Sequence, residues 1–173
     1  MTEEKRGFEK LWAPWRMQYI EGVDTENEGG CIFCSKPQAD NDRENYILHR
    51  AKNCYIIMNI YPYSNGHLMV VPYNHTTNLG ELASETRLEI MDMIDIVVEA
   101  MKNSMRPDGF NIGMNLGRSA GAGIEDHLHM HIVPRWNGDT NFMPVIGCTK
   151  VICESLEDTY AKLKKAIEQV IKR

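Results

Sequence analysis

The spacing of apolar residues along this chain changes several times, and each change marks an element. Between Tyr46 and Tyr73 the apolar runs are short: YILHR (46–50), CYIIMNI (54–60) and HLMVVPY (67–73). Runs of this length, rich in β-branched and aromatic residues, predict strands, with the last two joined as a hairpin through Pro62, Ser64, Asn65 and Gly66. At Ser84, a suitable N-cap followed by Glu85, the period lengthens. Leu88, Met91, Ile94, Val98 and Met101 then recur at intervals of three and four, predicting an amphipathic helix through residue 101 whose Met-rich stripe belongs to the core. Beyond Pro107-Asp108-Gly109, FNIGMNLG (110–117) and HLHMHIVPRW (127–136) read as strands on either side of a glycine-bearing loop, RSAGAGIED. The stretch NGDTNFMPVIGCTKVIC (137–153) reads as irregular or weakly extended. Ser155 then caps a helix with Leu156, Tyr160, Leu163, Ile167 and Val170 on one stripe.

Antiparallel strands joined by hairpins, one long central helix and a C-terminal helix make an α+β fold. Its 173 residues suit one domain. We divide the chain into an N-terminal arm (1–30) with Phe8, Trp12, Trp15 and Tyr19, a main domain (31–147), and a C-terminal extension with its helix (148–173). The arm's aromatics are expected to pack on the domain or on a second subunit.

Composition narrows the function. A net charge of -5 gives no general attraction for nucleic acid or an anionic membrane, so a polyanionic ligand needs a local site. The first twenty residues lack the apolar core of a signal peptide, and no later segment approaches the ~20 apolar residues of a membrane span. Cytoplasmic location is the expectation. Five cysteines, with only Cys31 and Cys34 close together, fit a reducing compartment better than a disulfide framework.

Three of the six histidines, His127, His129 and His131, alternate within five residues. On extended backbone alternate side chains share a face, so the row is either a metal site or a catalytic edge. Neutral imidazole is a good nucleophile near pH 7, and attack on an α-phosphorus gives a phosphoramidate. The middle histidine has an imidazole on each side, which makes His129 the preferred nucleophile, with His131 beside it on the phosphate. Just upstream, Asn115 to Gly123 supplies backbone N–H groups little shielded by side chains, a concavity suited to an anion.

The run H-L-H-M-H-I-V resembles the signature of the histidine triad family, and Asn65-Gly-His-Leu-Met-Val-Val-Pro72 is similar to that family's upstream Gly-His strand. The similarity spans roughly residues 31 to 136. It implies an α+β dimer built around antiparallel sheets that hydrolyses or transfers nucleotides through a nucleotidyl-histidine intermediate. By position it implies His129 as nucleophile, His127 and His131 as flanking members, and His67 as a fourth histidine beside them. Asn59 falls where the family places a ribose-binding residue, and Asn115, Gly121 and Gly123 where it binds phosphates. Where some members carry a hydroxyl residue before the triad, this chain has Gly123-Ile124 in a loop one residue longer, with Ser119 as a substitute.

LWAPWRMQYI (11–20), NIYPYSNGHLMVVPY (59–73), GFNIGMNLG (109–117) and PRWNGDTNFMPVIG (134–147) resemble the bacterial diadenosine tetraphosphate phosphorylase-like branch. That resemblance implies cleavage by inorganic phosphate to ATP and ADP. The alternatives are a dinucleoside polyphosphate hydrolase or a nucleoside phosphoramidase, with water as acceptor. Holding phosphate calls for extra donors, for which Arg118, Arg135 and Asn141 are candidates.

Cys31-x-x-Cys34 with His75 and the triad offers Cys₂His₂ ligation, suited to tetrahedral zinc. Some bacterial relatives bind zinc through such a pair, a histidine in a Pro-x-x-His segment and the first triad histidine, which implies Cys31, Cys34, His75 and His127 here. A zinc with four protein ligands is structural, because no position is left open. No organic cofactor is implied. Two other classes stay in view: an adenine-nucleotide-binding module without turnover, and a metal-binding regulatory domain using the whole triad.

Overall fold

The computed structural model describes residues 30–147 and 151–173; the aromatic residues of the arm and Cys148 lie outside them. Five strands, β1 (Ile47–Arg50), β2 (Cys54–Met58), β3 (Leu68–Pro72), β4 (Gly109–Gly113) and β5 (Met130–Arg135), form one antiparallel sheet in the order β1-β2-β3-β5-β4. The last strand in sequence therefore sits between its two predecessors. Helix α1 (Ile32–Gln38) precedes the sheet, α2 (Ser84–Ser104) links β3 to β4, and the one-turn α3 (Met143–Ile146) and the long α4 (Leu156–Ile171) follow β5.

Strands β1, β2 and β3 alternate between two apolar layers, and β5 adds Ile132 to one of them. Leu48, Ile56, Leu68, Val70 and Ile132 point to one face, where Ile90, Ile94, Val97 and Met101 of α2 and Tyr160, Leu163 and Ile167 of α4 cover them. Ile47, Tyr55, Ile57, Met69 and Val71 point to the other, under Phe33 of α1. Removing such apolar surface from water is what fixes register, since a slip of one residue would exchange the layers. The C-terminal helix joins this core fully: the Ser155 hydroxyl caps α4 by accepting from the Asp158 amide, and the Tyr160 hydroxyl donates to the Ile47 carbonyl at 3.0 Å.

Three sequence expectations shift. Helix α2 is capped by Ala83 rather than Ser84, which is its first residue, and it runs to Ser104. Of the expected stripe, Ile94 and Met101 are core, but Leu88 and Met91 are 63% and 53% exposed; Ile90, Met93, Val97 and Ala100 take the inner face instead. Two apolar sets at helical spacing compete in this segment, and only contact with the sheet selects one. The third shift concerns the strand expected over 127–136, which is confined to Met130–Arg135. Its partner β3 turns away after Pro72, and the Leu128 amide bonds the Thr76 carbonyl at 2.8 Å instead of the ladder. Helix α1 and the turn α3 were not foreseen.

Candidate active site

Although only His131 lies within a strand, the alternation of the three histidines survives on the extended approach to it. Leu128 and Ile132 join the layer under α2, while Phe33, on the opposite face, lies against the rings of both His127 and His129, with centroids 5.6 and 5.0 Å away. His129 and His131 meet edge to face at 4.7 Å. Opposite His131, β3 presents Met69, and His67 precedes that strand by one residue.

Hydrogen bonds fix the protons on these rings. A carbonyl oxygen only accepts, so Nδ1 of His129, 2.8 Å from the His127 carbonyl, carries the hydrogen and leaves Nε2 with its lone pair. Burial holds the His129 imidazole below its ordinary pKa, outweighing the opposite effect of that carbonyl, which keeps the ring neutral. His67 is set by amides. The Tyr63 N–H donates to its Nδ1 at 3.2 Å, and the Asn59 side-chain amide approaches the same atom at 3.2 Å, its orientation fixed because Asn59 Oδ1 accepts from the Tyr61 N–H. Nε2 of His67 therefore bears the hydrogen and gives it to Nδ1 of His131 at 2.9 Å, so the His131 hydrogen is on Nε2. Burial, then the neighbouring His131 and His129, push His67 down to about 3, so it is uncharged at neutral pH.

Behind the row, Cys31, Cys34, His75 and His127 bring one ligand atom each to within 4.8 Å of one another. Nδ1 of His127 is 3.3 Å from Cys31 Sγ, 3.5 Å from Cys34 Sγ and 3.3 Å from His75 Nδ1, and Cys34 Sγ is 3.3 Å from His75 Nδ1. Tetrahedral zinc, with Zn–N of ~2.0–2.1 Å and Zn–S of ~2.3 Å, sets ligand-to-ligand edges of roughly 3.3–3.8 Å, which these distances match. Nε2 of His127 donates to the Pro72 carbonyl at 2.8 Å, turning the Nδ1 lone pair toward the cluster as a metal ligand requires. Two imidazole Nδ1 atoms and two sulfurs at this range suit a shared cation. Without one, burial and then the adjacent Cys31 raise the Cys34 thiol.

The remaining expected residues are placed as follows. Asn59 stands between the Tyr61 amide and His67. Gly113 pairs with His131 across β4 and β5, so the loop that begins just beyond it starts at the triad; there Asn115 Nδ2 reaches the Gly121 carbonyl at 3.5 Å, and Gly121 has the left-handed φ of 86° that favours glycine. Gly123 lies in the same loop, next to Ile124, which packs into the layer with Phe33 and Met69. Ser119 is exposed on a 3₁₀ turn, and among the described residues it makes no hydrogen bond to the histidines. Arg118 pairs with Glu125, Arg135 with Asp139, and Asn141 caps the Met143 amide, so all three candidates for phosphate are engaged within the protein. Sequence reasoning missed Phe33 and Tyr63, whose ring lies 4.7 Å from that of His67. The position of Phe33 between the two cysteines was the available signal.

A protein-family model described as the HIT domain matches residues 41–138. A Mycobacterium tuberculosis protein named AP-4-A phosphorylase is 41% identical over 158 residues, 88% of this chain and 80% of that one. An adenosine 5'-monophosphoramidase of Schizosaccharomyces pombe is 31% identical over 107 residues, 62% of this chain and 75% of its own. Among solved structures, a zinc-bound histidine triad family protein from Mycobacterium smegmatis superposes with a TM-score of 0.67 at 26% identity, covering 84% of this chain and 99% of that one.

Proposed function

The chain belongs to the histidine triad (HIT) family of nucleotide-processing enzymes and resembles its bacterial diadenosine tetraphosphate phosphorylase-like branch, and from that premise we propose that it cleaves diadenosine tetraphosphate by phosphorolysis. Nε2 of His129 attacks an α-phosphorus, the P–O bond to the bridging oxygen breaks, and ATP leaves. The adenylyl group is then bonded to His129. An oxygen of inorganic phosphate attacks the same phosphorus, the P–N bond breaks, and ADP departs with His129 restored. The single observation carrying this reading is the hydrogen bond from His129 Nδ1 to the His127 carbonyl, which leaves a neutral, unprotonated Nε2 on the row.

The other residues serve this chemistry by position. His131 offers an Nε2–H to a non-bridging phosphate oxygen, stabilising the charge that grows as the nucleophile adds. His67 fixes that hydrogen. The Asn115–Gly123 loop, which starts beside His131, is assigned the phosphate chain through its amides, and Asn59 the ribose. Cys31, Cys34, His75 and His127 are proposed to hold zinc, which when bound supplies structural rigidity rather than an activated water. The substrate is an adenine nucleotide or dinucleoside polyphosphate, with neither nucleic acid nor membrane as a partner; no helix among the described residues is long and apolar enough to cross a membrane. Turnover in the cytoplasm is part of this reading.

A homodimer is part of it as well. β4 is an edge strand with Asn111, Ile112 and Gly113 exposed. On α2, Glu89 reaches the Lys52 and Asn53 amides on the β1–β2 side, so Met91, roughly half a turn around the helix, lies toward the β4 edge. Among the described residues no further strand pairs with that edge, and with Met91 and Ile112 exposed it suits a second copy of the chain.

The test is product analysis. Diadenosine tetraphosphate incubated with labelled phosphate should yield ATP and labelled ADP. Both phosphate-candidate arginines are ion-paired, and that observation favours water as the second reading; AMP and ATP, formed at a rate independent of phosphate, would establish hydrolysis instead.

A further inference from the structure

His67 owes its tautomer to two donors, the backbone N–H of Tyr63 and the Asn59 side-chain amide that the Tyr61 N–H orients, and all three residues sit in the β2–β3 loop, residues 59–67. Within the loop, Asn59 N–H bonds the His67 carbonyl at 3.0 Å and His67 N–H bonds the Ser64 carbonyl at 3.2 Å. Its apex is held from outside. Asn65 Nδ2 donates to Glu154 Oε2 at 3.2 Å, across 89 residues of sequence. The hydroxyl of buried Thr159 lies 2.9 Å from the same oxygen and 3.2 Å from Asn65 Oδ1, so its one hydrogen serves either acceptor, while Lys162 pairs with the other carboxylate oxygen. Glu154 thus gathers donors from the loop and from α4 at one point, and these interactions with Lys162, Asn65 and Thr159 hold its carboxyl below the usual range despite burial. Glu154 and Thr159 both lie beyond residues 41–138, the stretch matched by the family model.

A tautomer flip here has a definite result. Were His67 to carry its hydrogen on Nδ1, its Nε2 would become an acceptor facing His131 Nδ1. His131 would then have to carry its hydrogen on Nδ1, presenting a lone pair instead of an N–H to a phosphate oxygen. The Tyr63 and Asn59 amides together prevent this, and they do so while the loop that carries Tyr61 and Tyr63 keeps its place.

We propose that Glu154 is a positioning residue for the reaction: through Asn65 it fixes the β2–β3 loop, so that the Tyr63 amide and the Asn59 amide oriented by Tyr61 hold His67 and His131 in the tautomers that present an Nε2–H to the substrate phosphate. This rests on the reading of His131 given above. The C-terminal extension thereby completes a catalytic relay whose histidines all lie before residue 132.

The experiment compares Glu154→Ala, Asn65→Ala and Glu154→Gln with a nearby control on α4, Glu157→Gln, which removes the negative charge that the Tyr46 hydroxyl bonds without touching the loop. Histidine ¹⁵N NMR of the substrate-free proteins reads the tautomers, and steady-state kinetics with diadenosine tetraphosphate reads kcat and KM. In Glu154→Ala and Asn65→Ala the His67 signals should move from one tautomer to a mixture, and kcat should fall about tenfold with KM little changed, a part of the ~10²–10³ lost when one charge-stabilising hydrogen-bond donor is removed. Glu154→Gln, which keeps an acceptor for Asn65, should restore both, and Glu157→Gln should leave both as in the unsubstituted protein. Asn65→Ala keeps the Glu154 contacts to Thr159 and Lys162, so it decides the matter should Glu154→Ala fail to fold. An unchanged His67 tautomer with unchanged kcat in Asn65→Ala overturns the proposal, as does an equal loss of kcat in Glu157→Gln. If the unsubstituted protein does not turn over the dinucleotide, the functional reading fails, and the NMR comparison alone judges the role of Glu154.

Discussion

The His127 carbonyl oxygen lies 2.8 Å from Nδ1 of His129 and takes that nitrogen's hydrogen, while the His127 side chain turns back toward Cys31, Cys34 and His75. One residue therefore meets the proposed nucleophile with its backbone and the cysteine cluster with its ring. The two contacts share a single Cα.

Removing the proposed nucleophile should separate binding from chemistry. His129→Ala is expected to lower kcat by on the order of 10³-fold or more while still binding nucleotide, since substitution of a group that forms the covalent intermediate removes the pathway itself. Quenched reactions analysed by mass spectrometry should show the adenylylated protein before substitution and none after. Near-normal turnover by the variant would take His129 out of the role.

The cluster predicts metal stoichiometry. Protein purified without chelator should carry about one equivalent of zinc, and Cys34→Ser should lose most of it and melt at lower temperature, because metal affinity gained in the folded state is folding free energy. Elemental analysis beside thermal melts checks this. Unsubstituted protein containing no metal, with a melting temperature indifferent to added zinc, would contradict the assignment.

Burial of His67 makes stability depend on acid. Its folded pKa, about 3, lies below the ordinary 6.5, so below pH 6.5 the unfolded chain takes up a proton that the folded chain refuses. Stability falls as pH drops through that window. Urea unfolding of His67→Gln should show a shallower decline between pH 6.5 and 5, by up to about 1.4 kcal/mol per pH unit for one proton. Parallel curves for the two proteins would mean that His67 is not held neutral.

Gly66 turns the chain just before His67 with φ of 77°, and a Cβ there would meet Met105 Sδ at 2.9 Å. Gly66→Ala should cost about 1–2 kcal/mol from the left-handed backbone. The side chain of Met105 is flexible and can yield, so the contact itself adds little. Denaturant titration measures this, and an unchanged midpoint would argue against the turn.

How much of this was written in the sequence depends on whether the signal was local. The triad was legible because alternation needs only extended backbone, and His129 and His131 kept that alternation even though the strand proper begins at Met130. The α4 stripe was legible because Tyr160, Leu163 and Ile167 had no competing set. In α2, by contrast, Leu88 and Met91 sit at helical spacing equivalent to that of the residues that became core, and periodicity cannot choose between them. Helix α1 hid behind Pro37 and its own shortness. The bond from Asn65 to Glu154 left no trace at all, since a contact across 89 residues produces no period.

The strand order carries a final consequence. β5 is made last and enters between β3 and β4, so until it arrives β4 has no neighbour and His67 no imidazole beside it. An incomplete sheet is then not a weakened enzyme but none, and on progressive denaturation the loss of turnover and the loss of the sheet should coincide as one event.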